Sequence, residues 1–150
     1  MPQSLSQLLV HMIFSTKGRH PWIDKSIQPE LWSYLSAIPK RYDGFTIQTG
    51  GTEDHIHILF TLSRKMCVAD MAMHSKTASS KWLKSRGDAY APFQWQKGYG
   101  AFSVSKSESP KVKQYILNQE THHKKMTFQN EFIAFLKKHE IEYDEQYIWD

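Results

Sequence analysis

Hydrophobic and polar residues alternate in several short segments of this chain, and elsewhere the apolar residues recur at helical spacing. The clearest alternation lies at residues 55–62, where His55 and His57 interleave with two isoleucines and a phenylalanine. Successive side chains of a strand point to opposite faces, so the two histidines share one face and the apolar side chains share the other. The pattern predicts a strand that is anchored in the core by one face and carries two imidazoles on the opposite face.

The rest of the chain divides into further strands and helices at its Pro-, Gly- and Ser-containing turns. Strands are predicted at 8–14, 45–48, 92–95 and 99–104, and helices at 29–38, 68–84, 109–125 and 130–139. Polar residues 49–52 would join the second strand to the histidine strand as a hairpin. The order β-α-β-β-α-β(β)-α-α predicts an α+β fold of the ferredoxin-like (RRM-like) class. In that fold one antiparallel sheet has helices packed on one face, and here a C-terminal helix would carry Tyr115.

Composition fits one folded domain over residues 1–150. The hydrophobic fraction is 40% and the aromatic fraction 13%, which is typical of a globular protein. No apolar run approaches the roughly 18 residues that cross a bilayer, so no membrane association is expected. The first residues lack the basic and apolar regions of a signal peptide. The single cysteine, Cys67, excludes an internal disulfide framework and a cysteine zinc site. We expect a cytoplasmic protein.

The charge distribution points to a polyanionic partner. The formal net charge is +4, and residues 76–113 carry eight Lys and Arg against one Asp and one Glu. On the predicted helix 68–84, Lys76, Ser80 and Lys84 share one side and are candidate phosphate contacts. A merely solvated helix face explains them equally well. A nucleic acid is therefore an expectation that the charge supports without deciding it.

The histidine pair is a candidate metal site. Two imidazoles side by side on a sheet can hold one divalent ion, although two ordinary side chains on a half-exposed face are the commoner case. A working metal centre needs at least one further ligand and an open position for substrate. The sequence must supply that ligand from another element.

Tyr115 and Gln119 are candidates for the rest of such a site. In the predicted helix 109–125 a spacing of four puts them on one face, together with His123. An unsatisfied buried amide costs about 1–3 kcal/mol, so Gln119 must find a partner, and a metal or a backbone group would both serve. His122 and His123 could contact phosphate or lie on a solvated surface. A tyrosine hydroxyl beside a metal site favours attack on a phosphodiester.

Several motifs in one order make the chain similar to a known family. It resembles the IS200/IS605-type transposases, the single-tyrosine branch of the His-hydrophobic-His (HUH) nucleases. The resemblance covers nearly the whole chain, and its motifs lie at 10–17, 54–59, 95–105, 115–123 and 149–150. The tyrosine follows the histidine pair, as in this family and unlike the conjugative relaxases.

This resemblance implies a role for each of four residues. His55 and His57 correspond to the metal-binding histidines, Gln119 to the glutamine that completes the site, and Tyr115 to the nucleophile. The implied cofactor is Mg²⁺ or Mn²⁺. The implied reaction cleaves and rejoins single-stranded DNA at insertion-sequence ends through a 5′-phosphotyrosine. His123 joins Lys76, Ser80 and Lys84 as a candidate DNA contact.

The resemblance also implies the partners. Family members act as homodimers on single-stranded DNA with small hairpins, and the tyrosine helix can complete the site of the other subunit. Whether Tyr115 acts in cis or in trans stays open. We expect a homodimer with two composite sites.

Two other functions remain compatible with the residues. A metal-dependent nuclease could use water as its nucleophile, and Tyr115 would then be structural. A non-catalytic ferredoxin-like nucleic-acid-binding protein would use aromatic side chains on its sheet, where this chain has His55 and His57. Replacing Tyr115 by phenylalanine separates the first alternative from the tyrosine mechanism.

Overall fold

The structure is a computed structural model that describes residues 2–150. Its strands are β1 (Leu8–Ser15), β2 (Thr46–Gly51), β3 (His55–Leu62) and β4 (Gly100–Val104). Its helices are α1 (Gln28–Ala37), α2 (Val68–Lys84), α3 (Ser109–Leu117), α4 (Gln119–His122) and α5 (Phe128–Lys138). The strands form one antiparallel sheet in the order β2-β3-β1-β4. This is the predicted ferredoxin-like α+β arrangement, with β1 and β3 at the centre of the sheet.

One face of the sheet packs on α1 and α2, as the alternation in β3 predicts. Ile56, Ile58 and Phe60 join the buried residues of both helices, including Leu35 of α1 and Met71 of α2, in one apolar cluster. Each of these side chains is at most 1% exposed. The side chains of β3 on the other face, including both histidines, are therefore directed away from this core.

The segment after β4 covers the other face of the sheet. Phe128, Phe132 and Leu136 of α5 pack with Ile13 of β1 and Phe102 of β4 in a second apolar cluster. Every residue of β3 is consequently buried. The sequence predicted helices on one face of the sheet, and α1 and α2 lie on that face. The helices after β4 form a second layer that covers the face carrying the histidines.

Local signals explain where the helices begin. Pro29 and Pro110 lie in the first turns of α1 and α3, where a missing N–H leaves no hydrogen bond unmade. Oγ1 of Thr127 accepts a hydrogen bond from the backbone N–H of Asn130 at 3.2 Å and caps α5. The cap fixes the start of α5 and so places Glu131 in its first turn.

Three of the secondary-structure predictions are wrong. Residues 92–95 form no strand but only an isolated bridge between Trp95 and Thr16. The strand β2 continues through its two glycines, so the hairpin turn lies at 52–54 rather than 49–52. The predicted helix 109–125 ends at Leu117, because Asn118 leaves helical backbone angles (φ −96°, ψ 16°).

Among residues 2–150, no helix is long and apolar enough to cross a bilayer.

Candidate active site

The histidines of β3 meet the segment that follows Tyr115. His55 and His57 are fully buried beneath α3, α4 and α5. Nε2 of His55 lies 2.9 Å from Oε1 of Gln119, the first residue of α4. The break at Asn118 starts this new helix, and the buried amide of Gln119 finds its partner in His55. The three residues that the sequence proposed as a metal site are thus close together.

A carboxylate that the sequence analysis missed lies at the centre of the site. Glu131 is 1% exposed. Its Oε1 atom lies 3.0 Å from Nε2 of His57, 3.1 Å from Nε2 of His123 and 3.5 Å from Nε2 of His55. A buried charge requires such partners, because the protein interior solvates it poorly. Glu131 therefore connects the histidine pair to α5.

The other oxygen of Glu131 faces the tyrosine. The hydroxyl of Tyr115 donates a hydrogen bond to Oε2, and Nε2 of Gln119 donates another at 3.1 Å. Nε2 of His122 lies 3.4 Å from the same oxygen and 3.2 Å from the Tyr115 hydroxyl. One carboxylate thus contacts histidines through Oε1 and the candidate nucleophile through Oε2.

Four of these residues have the chemistry of a metal site. Ligand atoms of His55, His57, His123 and Glu131 all lie within 4.8 Å of one another. Imidazole nitrogen and carboxylate oxygen are common ligands of divalent ions in proteins. Nε2 of His123 is buried and lies 3.1 Å from Oε1 of Glu131, but the angle between them forms no hydrogen bond within residues 2–150. A divalent ion would satisfy that nitrogen, so the donor set fits a metal.

The pKa shifts agree with this arrangement. Burial lowers the pKa of His57 to about 4, although the Glu131 carboxylate opposes the change, so the ring is neutral at pH 7 and able to bind a metal. Burial alone would raise the pKa of Glu131, but His57 and His123 hold it far below its usual range. Burial and the Glu131 charge raise the pKa of Tyr115 well above its ordinary value. The hydroxyl is therefore protonated at neutral pH.

The Nδ1 atoms of His55 and His57 also have polar partners. Nδ1 of His55 lies 2.7 Å from Oδ1 of Asp54 and 3.0 Å from Oγ1 of Thr52. Nδ1 of His57 lies 2.8 Å from Nε2 of His11, which is buried on the neighbouring strand β1. Such partners fix the ring orientation and tautomer of a metal-binding histidine.

A sequence signal exists for both missed residues. Glu131 is an acidic residue on the apolar stripe of its helix, between Phe128 three positions before it and Phe135 four positions after it. His11 is a polar residue within a short apolar strand. Neither signal says which distant element the side chain meets.

The candidate DNA contacts are divided between the two faces of the sheet. His123 lies in the buried cluster, whereas α2, which carries Lys76, Ser80 and Lys84, packs on the opposite face. Lys84 is exposed and Ser80 is partly exposed. A DNA role for these four residues stays a prediction.

Lys76 has a structural task in the protein. Its ammonium group donates to the backbone carbonyls of Gln96, Lys97 and Gly98 at 2.8, 3.0 and 2.6 Å. Burial lowers the pKa of Lys76 to about 8. The side chain holds the loop before β4, and in this structure it is not free to contact a phosphate.

Comparisons with known proteins agree with the fold and the motifs. The family model described as "Transposase IS200 like" matches residues 4–119. No curated protein sequence matches the chain.

Two solved structures share the fold. The first is a Deinococcus radiodurans R1 protein described as a transposase; it has 22% identity and a TM-score of 0.61, over 79% of this chain and 98% of the other. The second is a REP-associated tyrosine transposase bound to a REP hairpin; it has 10% identity and a TM-score of 0.59, over 82% of this chain and 72% of the other.

Proposed function

Because the chain belongs to the family of IS200-like transposases, we propose that it cleaves and rejoins single-stranded DNA with Tyr115 as the nucleophile. One observation carries this proposal. The Tyr115 hydroxyl and the paired histidines of β3 meet around a single buried carboxylate, Glu131. A structural tyrosine would not need a charged partner, a second imidazole contact and a neighbouring set of metal ligands.

A divalent ion fits the same place. We propose that His55, His57 and Gln119 hold Mg²⁺ or Mn²⁺, with His123 and Glu131 as further ligands. When bound, the ion would polarise a phosphate oxygen and offset the charge that develops during attack. The neutral state of His57 supports this assignment, since a protonated imidazole cannot bind a metal.

Tyr115 needs a proton acceptor in order to attack. Its hydroxyl is protonated at neutral pH, and Oε2 of Glu131 already accepts its hydrogen bond. In the proposed step the proton passes from Tyr115 to Glu131 while a bond forms between the tyrosine oxygen and phosphorus. The bond from phosphorus to the 3′ oxygen breaks, and that oxygen takes up a proton from solvent and leaves as a free 3′-OH.

The product would be a 5′-phosphotyrosine. A 3′-OH from another strand can attack this linkage, release Tyr115 and join the two strands. The number of phosphodiester bonds is conserved, so no nucleotide triphosphate is consumed. This agrees with the lack of a GxxxxGK[ST] phosphate-binding motif in the sequence.

The proposed substrate is single-stranded DNA with a hairpin near the cleavage site. It is supported by the family and by the REP hairpin in the REP-associated tyrosine transposase structure. We also propose a homodimer in the cytoplasm, on the strength of the family resemblance.

A covalent-adduct assay tests the proposal. The protein is incubated with end-labelled single-stranded DNA carrying candidate hairpins, with Mg²⁺, Mn²⁺ or EDTA, and resolved on a denaturing gel. We expect a metal-dependent adduct that Tyr115→Phe abolishes. Tyr147→Phe is the matched control, because Tyr147 is 64% exposed. Cleavage without an adduct in the Tyr115→Phe protein would instead identify a nuclease that uses water, and hairpin binding without any cleavage would favour a non-catalytic binding protein.

A further inference from the structure

An open cleft lies beside the Tyr115 hydroxyl. It has a volume of about 360 Å³ and runs between α3 and α5. Val112, Ala134 and Phe135 form its apolar wall, and Lys111 and Lys138 stand on its rim. The metal-ligand candidates on β3 do not line it. The cleft is lined on its inner side by four residues of the catalytic cluster, His11, Tyr115, His122 and Glu131, so it is the open space on the tyrosine side of that cluster.

We propose that this cleft binds an unpaired nucleobase of the DNA substrate, that of the nucleotide on the 3′ side of the scissile phosphate. This nucleotide is the one that stays attached to Tyr115 after cleavage. The inference rests on the proposed function, and it adds a base-binding subsite to it.

The size and chemistry of the cleft suit a nucleobase. Its volume falls at the small end of ligand pockets, which span about 300–1,000 Å³. A base needs an apolar or aromatic surface to lie on, and such contacts bind unpaired bases whatever their sequence. Phe135 and Val112 supply that surface. Lys111 and Lys138 place positive charge where the phosphates next to the base would lie. Lys111 also forms an exposed ion pair with Glu108 at 3.8 Å, and such a pair is too weak to keep Lys111 from contacting a phosphate.

The stereochemistry of the reaction selects which nucleotide enters. In phosphoryl transfer the attacking and leaving oxygens lie roughly in line on opposite sides of phosphorus. The leaving 3′ oxygen therefore points away from Tyr115, while the retained nucleotide stays beside the tyrosine. One side of the Tyr115 hydroxyl is occupied by Glu131 and His122, and the cleft lies open next to them. The retained nucleotide has room there.

Methyl NMR can locate the bound strand without relying on cleavage. The Tyr115→Phe protein, labelled at Ala, Val and Thr methyls, is titrated with random-sequence single-stranded DNA of about 12 nucleotides. We expect the methyl resonances of Val112 and Ala134 to shift. Shifts confined to Thr52 and Thr127, which line a different cleft near His123, would overturn the proposal. So would the absence of any shift.

An abasic strand of the same length distinguishes a base site from a phosphate site. We expect it to bind about 10-fold to 100-fold more weakly, because the base contact is lost. Equal shifts of Val112 and Ala134 with the abasic strand would show that the cleft holds only backbone, and would contradict the inference.

Filling the cleft gives an independent test. Ala134→Trp should weaken binding of the random strand about 10-fold or more and leave the unfolding midpoint near that of wild type, since Ala134 is exposed. Asn130→Trp is the matched control, one turn earlier on α5 and outside the cleft. Equal affinities of the two variants would refute the subsite. If wild type forms no adduct but these binding results hold, the transposase chemistry fails and the subsite stands.

Discussion

Nε2 of His11 lies 2.8 Å from Nδ1 of His57, so a residue of β1 orients a metal-ligand candidate on β3. Both rings are buried, and burial, followed by the proximity of His57, lowers the pKa of His11 well below its ordinary value. Two neutral rings share one hydrogen between these atoms. If Nε2 of His57 is to bind a metal, Nδ1 of His57 must carry the hydrogen and His11 must accept it. His11 is thus a positioning residue for the proposed metal site.

His11→Phe should therefore weaken metal binding. The phenyl ring keeps most of the packing and removes the hydrogen-bond acceptor, and loss of such a partner typically costs about 10–100-fold in metal affinity. Isothermal titration of the purified protein with Mn²⁺ measures the change. His139→Phe is the control, because His139 is exposed and stacks on Phe102 without contacting His57. An unaltered affinity in His11→Phe would remove the positioning role.

Glu131→Gln should lower adduct formation while the protein still folds. The amide keeps the shape of the side chain but loses the charge that faces the histidines and the proton acceptor that faces Tyr115. We expect adduct formation to fall by about 10²–10⁴-fold, the usual contribution of a general base. Hairpin DNA binding should change little, since Glu131 is buried. Glu120→Gln is the control, because Glu120 is exposed and pairs only with the exposed Lys25. Wild-type adduct yield in Glu131→Gln would exclude it as the acceptor.

Gly50→Ala should disturb the position of the tyrosine helix. A Cβ atom at Gly50 would lie 2.6 Å from the carbonyl oxygen of Ile116 and 2.8 Å from Cγ2 of the same residue. The helix α3 can therefore pack this closely on β2 only because residue 50 is a glycine. Overpacking of this kind costs about 1–3 kcal/mol. A misplacement of about 1 Å beside the chemistry can lower the rate about 10²-fold. Urea unfolding and the adduct assay measure the two effects.

The control for that change is Gly98→Ala. Its Cβ would lie 3.5 Å from the nearest atom, an ordinary contact. We expect near wild-type stability and adduct yield from this variant. If Gly50→Ala matched it in both assays, the close packing of α3 on β2 would not be what positions Tyr115.

The sequence predicted the elements that depend on local pattern. Alternation over β3 was sufficient to place His55 and His57 on one face, because side-chain direction in a strand has a period of two. Helical spacing also placed Tyr115 and Gln119 on one helix, whereas in the structure α3 ends at Leu117 and Gln119 belongs to α4. The direction of side chains within β3 is a relationship within one element, which a sequence expresses directly.

Relationships between elements were not predictable in the same way. Glu131 and His11 join the site through tertiary packing across 74 and 46 residues from His57. The end of α3 at Asn118 was also missed. The helical pattern of the sequence continues past this residue, and the contact of Gln119 with His55 is a tertiary one that the pattern does not contain. The glycines of β2 look like a turn in the sequence. The approach of Ile116 explains Gly50, and the close backbone of His55 together with a φ of 155° explains Gly51.

Lys76→Met should lower stability although it removes a charge from a basic surface. Three backbone carbonyls lose their donor. The hydrogen bonds to Gln96 and Gly98 are partly buried and the one to Lys97 is exposed, so we expect a loss of about 1 kcal/mol, the low end of the cost of an unsatisfied buried acceptor. Urea unfolding measures this loss. Lys84→Met, on the exposed side of the same helix, should leave the unfolding midpoint unchanged. Equal stability of the two variants would show that Lys76 does not hold the loop.

Mixing two inactive variants tests whether each subunit uses its own tyrosine. Tyr115 contacts Glu131 of the same chain, whose Oε1 lies 3.0 Å from His57 of that chain, so nucleophile and histidines meet without a second copy. Tyr115→Phe and His57→Asn should each form no adduct. An equimolar mixture should also form none, because a subunit with an intact histidine pair lacks its tyrosine and the other lacks its histidine. Restored adduct formation in the mixture would show that α3 exchanges between subunits and that the composite sites expected from the family resemblance are the working ones. Mixing wild type with Tyr115→Phe is the control, since activity should then fall only in proportion to dilution if the sites act in cis.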